Sequence, residues 1–502
     1  MENIENWLKA DFNSYSEDAI WMLSNAFVIF TMQSGFGLLE SGSVRAKNEV
    51  NIMMKNVIDV IFGGFAYWMV GYGISSGNYQ NLSNPFCGVG LPFIGEHKDD
   101  LEDESHIGMA YADFLFQVSY ATTSATIVSG AMAERSRLLG YICCSFCCTI
   151  IYSFPSHWLW SKTGFLHRLG AVDIAGAGGI HLCGGTMGFV ATLLLGPRKG
   201  RFENKTNWVM SCPTNVLLGT FILWWGAFGL NAGSSEGLSG GRWALAARSA
   251  TSTLMSTVGG GVACILIGRF RTKTFDIGIL TTGILSALMA ITGMCSLADT
   301  WHSFLIGFLA SSITTFIPNL LVKLKIDDPI GVIPIHFCGG LIGLLSSVIF
   351  LPPHNRNYTT RTECTTCKGL LYGGDLHLLG VQLLAIVSIM SWSAVTSYIC
   401  FVIINKTIGL RLTKQEEVLG ADFIEHGLQH HSTHGKPQRC ESCTELQVHL
   451  IKSDGHSGGN HAGVKSKSQS RDSVSDKEAP PDPPKAKEMN KVVQKADLES
   501  SA

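Results

Sequence analysis

Long apolar stretches alternate with short polar ones through most of the chain. A helix that crosses a bilayer needs about 20 mostly apolar residues. Eleven stretches qualify: 19–40, 57–75, 108–132, 138–160, 173–195, 209–232, 249–267, 276–294, 300–322, 331–351 and 379–404. Several carry Asn, Gln, Ser, Thr or His, and in lipid such side chains turn toward a bundle interior. The pattern stops at Lys406. Beyond it the sequence is polar, rich in Ser, Lys and Asp, with a proline-rich run at Pro480–Pro484. Such a stretch cannot bury enough apolar surface to offset the entropy of ordering it.

Charge sets the expected orientation. The connection after the first stretch holds Arg45, Lys47 and Lys55. Alternate later connections hold Arg135 and Arg137, then Arg198, Lys199, Arg201 and Lys205, then Arg269, Arg271 and Lys273, then Lys323 and Lys325. The opposite set is poorer in Lys and Arg, and 96–104 is acidic. Basic connections lie on the cytoplasmic side. The N-terminus is then outside and the C-terminus inside. The expected organisation is an extracellular N-terminus over 1–18, an eleven-helix membrane domain over 19–404, and a cytoplasmic tail over 405–502, largely disordered beyond about 435. Met1 to Asp18 carries Lys9 against Glu2, Glu5, Asp11, Glu17 and Asp18, so it lacks the basic start of a secretory leader.

Composition sharpens this. Only 15% of residues are charged, and the net charge of −2 gives no reason to expect nucleic acid as a partner. The 55 glycines fit helices that approach closely in lipid. Many of the 15 cysteines sit in apolar runs (Cys143, Cys144, Cys147 and Cys148) and read as small hydrophobic residues. Cys364 and Cys367 share an expected outer connection, with Cys87 in another, and are disulfide candidates. Sequons at Asn81 and Asn357 also fall outside, whereas Asn204 falls inside. Among tail residues, Ser473 and Ser475 are phosphorylation candidates, and His426, His430, His431 and His434 lie near Cys440 and Cys443. No metal or cofactor site is expected.

A repeat is visible within the chain. Ile180-His181-Leu182-Cys183-Gly184-Gly185, with Gly188 following, matches Ile335-His336-Phe337-Cys338-Gly339-Gly340, with Gly343 following. Asp173 and Asp328 each stand eight residues before the histidine. Phe36-Gly37-Leu38 and Phe228-Gly229-Leu230 give a weaker echo. The copies are five helices apart, an odd number, so the second half is inverted relative to the first. Inverted repeats place a transport site near the midplane, between the halves. The eleventh helix stands outside the repeat.

His181 and His336 are therefore the leading functional candidates. One histidine alone would read as a hydrogen-bonded packing residue. Two at equivalent positions point to a shared site, in which neutral imidazoles offer both donors and acceptors. Asp173 is both an intramembrane carboxylate and a helix N-cap, while Asp328, next to Pro329, reads mainly as a cap. Trp158, Trp160 and Tyr120 form an expected outer aromatic cluster. Tryptophans there are either interfacial anchors or the faces of a cation–π site, with Ser234 as an added acceptor.

The stretch from Asp173 through His181 to Gly196-Pro197-Arg198 resembles the signature of the Amt/Mep/Rh ammonium transporter family, and of its Amt type in particular. Gly42-Ser43-Val44-Arg45-Ala46-Lys47-Asn48, Gly130-Ala131-Met132-Ala133-Glu134-Arg135, Asn231-Ala232-Gly233-Ser234, Asp327-Asp328-Pro329 through His336, Gly409-Leu410-Arg411 and Asp422 to Gly427 fit the same family in the same order. The resemblance spans about residues 17–430. It implies eleven helices, a homotrimer in a cell membrane, and one pore per subunit. It also implies an outer ammonium site at Trp160, Ser234 and Tyr120, Asp173 nearby, and His181 with His336 lining the pore. Two positions depart from it. The family has phenylalanine at the outer gate where this chain has Tyr120 and Leu230, which leaves Phe228 as the candidate replacement.

The expected function is transport of ammonium, with methylammonium as an analogue. The cation is recruited outside and deprotonated, and ammonia passes the histidines. A sensor with little flux and an Rh-like gas channel are the alternatives. An intramembrane enzyme would need a nucleophile or three converging metal ligands, and no such set is seen in the sequence.

Overall fold

The computed structural model describes residues 2–77, 82–90, 92–93, 104–203, 209–353 and 368–428; before Tyr15 and over 104–106 it describes the backbone alone. These residues belong to the first of two units, Met1–Gly435; the second, Lys436–Ala502, lies outside them. The sequons at Asn81 and Asn357, Asn204, Cys364, Cys367 and the tail sites beyond Leu428 also lie outside the described residues.

Every apolar stretch is a helix. In chain order they are α1 (Glu2–Ser43), α2 (Ala46–Ser75), α3 (Glu104–Met132), α4 (Leu138–Trp160), α5 (Ala177–Leu195), α6 (Pro213–Gly233), α7 (Trp243–Thr272), α8 (Ile277–Ile291), α9 (Thr300–Lys323), α10 (Ile333–Phe350) and α11 (His377–Thr407). Nine are long and apolar enough to cross a bilayer by length and composition; α3 is more polar and α8 is shorter. No strand occurs among the described residues. The stretch 1–18 is not separate, since α1 is helical from Glu2. Its Asp18 accepts the backbone N–H groups of Leu238 and Ser239 (2.8 and 2.9 Å) and ties α1 to the connection after α6.

The largest departure from the hydropathy reading is α2, which starts at Ala46 rather than near 57. Its first turns carry Asn48, Asn51, Lys55 and Asn56, which a hydropathy window excludes. All four are buried, and each is bonded inside the protein. Asn48 Oδ1 accepts from the Ala421 N–H (2.9 Å), Lys55 donates to the Ser136 carbonyl (3.2 Å), and Asn56 donates to Glu40 (2.7 Å). Polar groups at membrane depth are tolerated when such partners are supplied.

The packing repeats in the order expected of two inverted halves. Contacts of α1 with α3, α2 with α4, and α3 with α5 have counterparts in α6 with α8, α7 with α9, and α8 with α10. α1 and α6 run along each other, α5 and α10 meet at the centre, and α11 packs on α4 and α5. The central meeting depends on two equivalent glycines. A Cβ at Gly185 would lie 2.4 Å from the Phe337 nitrogen, and one at Gly340 would lie 2.4 Å from the Ala177 carbonyl oxygen. Each glycine follows its histidine by four residues, so the same crossing that needs them brings the histidines together.

A network of charges closes the side that the sequence leads one to expect on the inside. Arg198 donates to Asp327 (2.8 and 2.9 Å) and to Glu134 (2.5 Å), Arg135 reaches Asp327 (3.2 Å), and Arg45 reaches Glu134 (2.5 Å). Burial pushes the Asp327 carboxyl up, but the hydrogen bonds and charge of Arg198, with the charge of Arg135, outweigh it and hold the group at about 2. Its contribution to stability is therefore present above the unfolded carboxyl range and is lost as pH falls toward 2. Two short helices, α12 (Lys414–Leu419) and α13 (Ala421–His426), pack on this face. Asp422 accepts the N–H groups of Val50 and Asn51 (3.1 and 2.7 Å) at the start of α2. Arg411 donates to the Pro197 carbonyl (2.8 Å) and to that of Leu195.

Gly340→Ala should lower the thermal midpoint of the detergent-solubilised protein by several degrees, because overpacking a tight contact costs about 1–3 kcal/mol. Gly380→Ala, on a part of α11 with open space around it, should leave the midpoint unchanged in the same size-exclusion thermal assay.

Candidate functional site

Two cavities enter the described structure from opposite ends. The outer one, of about 290 Å³, is lined by Ser75, Asp113, Gln117, Ser156, Trp160 and Glu236 among others. The inner one, of about 170 Å³, is lined by Leu39, Ser43, Asp328, Ile330 and Ile335 among others. The predicted site residues lie between and around them.

At the outer end, Trp160 is the last residue of α4, and its Nε1–H donates to the Asp173 carbonyl (2.7 Å). Its ring stands edge-on to Tyr120, with centroids 5.9 Å apart. The hydroxyls of Tyr120 and Ser234 are 2.6 Å apart, and both converge on the Leu230 carbonyl (2.7 and 2.8 Å). Trp160, Tyr120, Ser234 and Leu230 thus come together. Phe228 does not join them. It is two residues from Leu230, and side chains two apart on a helix do not share a face. It is half-buried, and among the described residues it makes no ring contact with Tyr120 or Trp160. Phe116 fills that part instead, its ring 4.8 Å from Tyr120 and fully buried. Sequence reasoning passed over it, although its place one turn before Tyr120 on α3 was the available signal. Trp158 turns away from the cluster, donating to the Phe86 carbonyl (2.7 Å).

Asp173 is a positioning residue in this geometry. Its carboxylate accepts four backbone N–H groups, from Gly176 and Ala177 on Oδ1 (2.9 and 2.8 Å) and from Gly178 and Gly179 on Oδ2 (2.8 and 3.0 Å). Those bonds take up the acceptor sites of a carboxylate and fix the first turn of α5. Asp328 does the same for α10 through Gly331, Val332 and Ile333 (3.0, 3.0 and 2.8 Å). Gly176 and Gly331 both take positive φ (99° and 93°), a conformation side chains disfavour. The opening turns that follow, Ala177–Leu182 and Ile333–Cys338, are π-helical. Such wider turns recur at functional sites, and these two carry the histidines.

His181 and His336 meet with their Nδ1 atoms 3.3 Å apart and their ring planes 30° from parallel. Both are buried. An Nδ1–Nδ1 hydrogen bond needs one donor and one acceptor. When both rings are neutral, one therefore presents Nε2–H and the other a bare Nε2. His181 Nε2 is buried and has no hydrogen-bond partner. The pair lies between the cavities. The Trp160 ring packs on α5 at Gly179, where an added Cβ would come within 2.9 Å of it, two residues from His181. On the other side, Ile335 of the inner cavity adjoins His336.

The family model described as Ammonium Transporter Family matches residues 19–431. The chain is 46% identical over 417 residues to putative ammonium transporter 3 of Caenorhabditis elegans, covering 82% of this chain and 60% of that one. It is 41% identical over 427 residues to putative ammonium transporter 2 of the same organism, covering 83% of this chain and 82% of that one. A solved structure titled Sensor Amt Protein superposes with a TM-score of 0.72 at 29% identity, covering 85% of this chain and all of that one. A helical membrane fold built from two repeated halves, a paired-histidine centre and these likenesses lead to one conclusion: this multi-pass membrane chain belongs to the ammonium transporter family.

Proposed function

We propose that this chain carries ammonium across the plasma membrane: at the outer cluster the cation hands its proton to water of the outer cavity, and the ammonia left behind passes along His181 and His336. The observation that carries the reading is the imidazole pair, buried between two cavities and held by equivalent capped turns. Taking a bare ion from water into a medium of low dielectric costs about 20 kcal/mol in the idealised limit, and several kcal/mol after relaxation. Potassium has no way round that cost. Ammonium does, because it can leave its proton behind and continue as a neutral molecule. At the mouth, the faces of Trp160, Tyr120 and Phe116 offer cation–π attraction, and Ser234 offers an acceptor. Beyond it, the buried, unpartnered Nε2 of His181 is the position assigned to hydrogen-bond a polar but uncharged guest.

Tyr120 has a role that phenylalanine would not have. Its hydroxyl joins α3 to the Leu230 carbonyl on α6 and to Ser234, the residue that caps its end, so opening the mouth requires breaking a hydrogen bond worth about 1 kcal/mol net. We assign Leu230 to the wall of this gate. The chain works with its N-terminus outside and its C-terminus in the cytoplasm, as a homotrimer with a pore in each subunit. Asn81 and Asn357 are the glycosylation sites proposed on the outer side. Methylammonium is the transported analogue.

His181→Ala and His336→Ala should each reduce methylammonium uptake at least tenfold, or admit potassium, in yeast lacking its own ammonium transporters. Unchanged uptake and selectivity in both would end the mechanism. A wild type that reaches the surface and carries nothing would favour the sensor reading. Tyr120→Phe should raise the maximal uptake rate about fivefold, the factor that ~1 kcal/mol corresponds to, as read from saturation curves normalised to surface protein.

A further inference from the structure

The basic residues that the sequence places on the inner side fall into two groups. Arg45, Arg135, Arg137, Arg198, Arg201 and Arg411 each pair with a carboxylate. Arg269, Arg271, Lys273, Lys323 and Lys325, at the ends of α7 and α9, are exposed, and none of them forms an ion pair among the described residues. The nearby carboxylates are engaged elsewhere. Asp276 caps α8 by accepting the Ile279 N–H (2.9 Å), and Asp327 is held by Arg198 and Arg135. Arg271 is fixed without a carboxylate. Its Nη1 donates to the Thr315 carbonyl (3.3 Å), and its guanidinium lies 4.8 Å from the centroid of the Phe316 ring, which ties the end of α7 to α9. Lys273 and Lys325 take positive φ (62° and 56°), a conformation that glycine adopts at lower cost. Beside these cations, Phe270 and Phe275 are 74% and 76% exposed, the most exposed of the large apolar side chains described. Phe270 also ends a stripe of exposed apolar residues on α7, with Val258, Val262 and Leu266 at intervals of four.

We infer that the end of α7, the connection to α8 and the end of α9 form a site for the headgroup of an anionic phospholipid. Lys and Arg clustered just beyond a membrane span are drawn to anionic lipid, and Phe side chains enter the boundary between headgroups and acyl chains. Arg271 and Lys273 take the phosphate, the arginine through paired N–H groups and the lysine as a point charge. Phe270 and Phe275 lie among the upper acyl chains and continue the apolar stripe of α7. Lys323 and Lys325 add positive charge from α9. An acidic protein would meet the charges and leave the two rings in water, so the rings favour the lipid. The orientation proposed above sets the leaflet, the cytoplasmic one; the site itself does not depend on transport.

The test is native mass spectrometry of the full-length protein in a neutral detergent, titrated with phosphatidylinositol phosphate or with phosphatidylcholine, which reads bound lipid and oligomeric state together. The anionic lipid should bind saturably, and phosphatidylcholine about tenfold more weakly. Arg271→Gln and Lys273→Gly should each weaken anionic-lipid binding about fivefold, and so should the double change Phe270→Ser, Phe275→Ser. Lys414→Gln, which removes an exposed charge from the tail, should not. Lys273→Gly also relieves the positive φ, so the thermal midpoint without lipid should hold or rise while its increase on adding lipid shrinks; a purely structural role would lower the midpoint. Equal binding of both lipids, wild-type binding in Arg271→Gln and Lys273→Gly, or an equal loss in Lys414→Gln would overturn the site. So would a changed oligomeric state in the Phe variant, which would make the face a subunit contact, or binding of a polyglutamate peptide in place of the lipid, which would make it a dock for an acidic protein. None of these results bears on the pore reading.

Discussion

The contact between two buried imidazoles, one from each half, is the constraint on which the architecture turns. Neither ring is placed by its own helix alone. Asp173 and Asp328 gather the orphan N–H groups at the starts of α5 and α10, and so fix where each helix begins and how its first turn is wound. Gly185 and Gly340 then let the two helices cross at backbone distance. Cap, wide turn, histidine and glycine recur at the same spacing in both halves, and the inversion of the halves points the two rings at each other.

Much of this was legible from residue spacing. The eight-residue interval from aspartate to histidine and the doubled glycine motif marked where the two histidines meet, and the hydropathy pattern marked the helical, membrane-spanning character of the chain. What escaped has a common physical cause: hydropathy and repeats say that a residue is inside, not whom it faces. Phe116 and Gln117 lie in an apolar stretch and look like lipid-facing or packing residues until the fold turns them toward the mouth. Phe228 was the natural substitute for a missing ring by sequence proximity, yet two residues along a helix carries it round to another side. The start of α2 was misread for the opposite reason. Asn48, Asn51 and Lys55 look like connection residues, and their burial depends on partners drawn from the loop after α3 and from the tail, which no local window contains.

The two ends of the molecule handle charge differently. On the inner face, Arg45, Arg135 and Arg198 are matched with Glu134 and Asp327, and the tail's Arg411 and Glu417 pair with each other (2.7 Å) as they pack there. These bonds fix connections that must stay put while the helices enclose a passage. At the opposite end Asp113 and Glu236 line a cavity together with Lys162, and the Trp160 ring in that lining packs on Tyr120.

Potassium is close to ammonium in size but cannot give up a proton, which makes the comparison of the two the most direct test of the central claim. The measurement is flux of each into proteoliposomes containing the purified protein, under equal gradients and at equal potential. The account predicts saturable ammonium uptake with potassium entry at the level of protein-free vesicles. Potassium entry at a rate comparable to ammonium would contradict it, because a passage that conducts a permanent cation has no need of deprotonation.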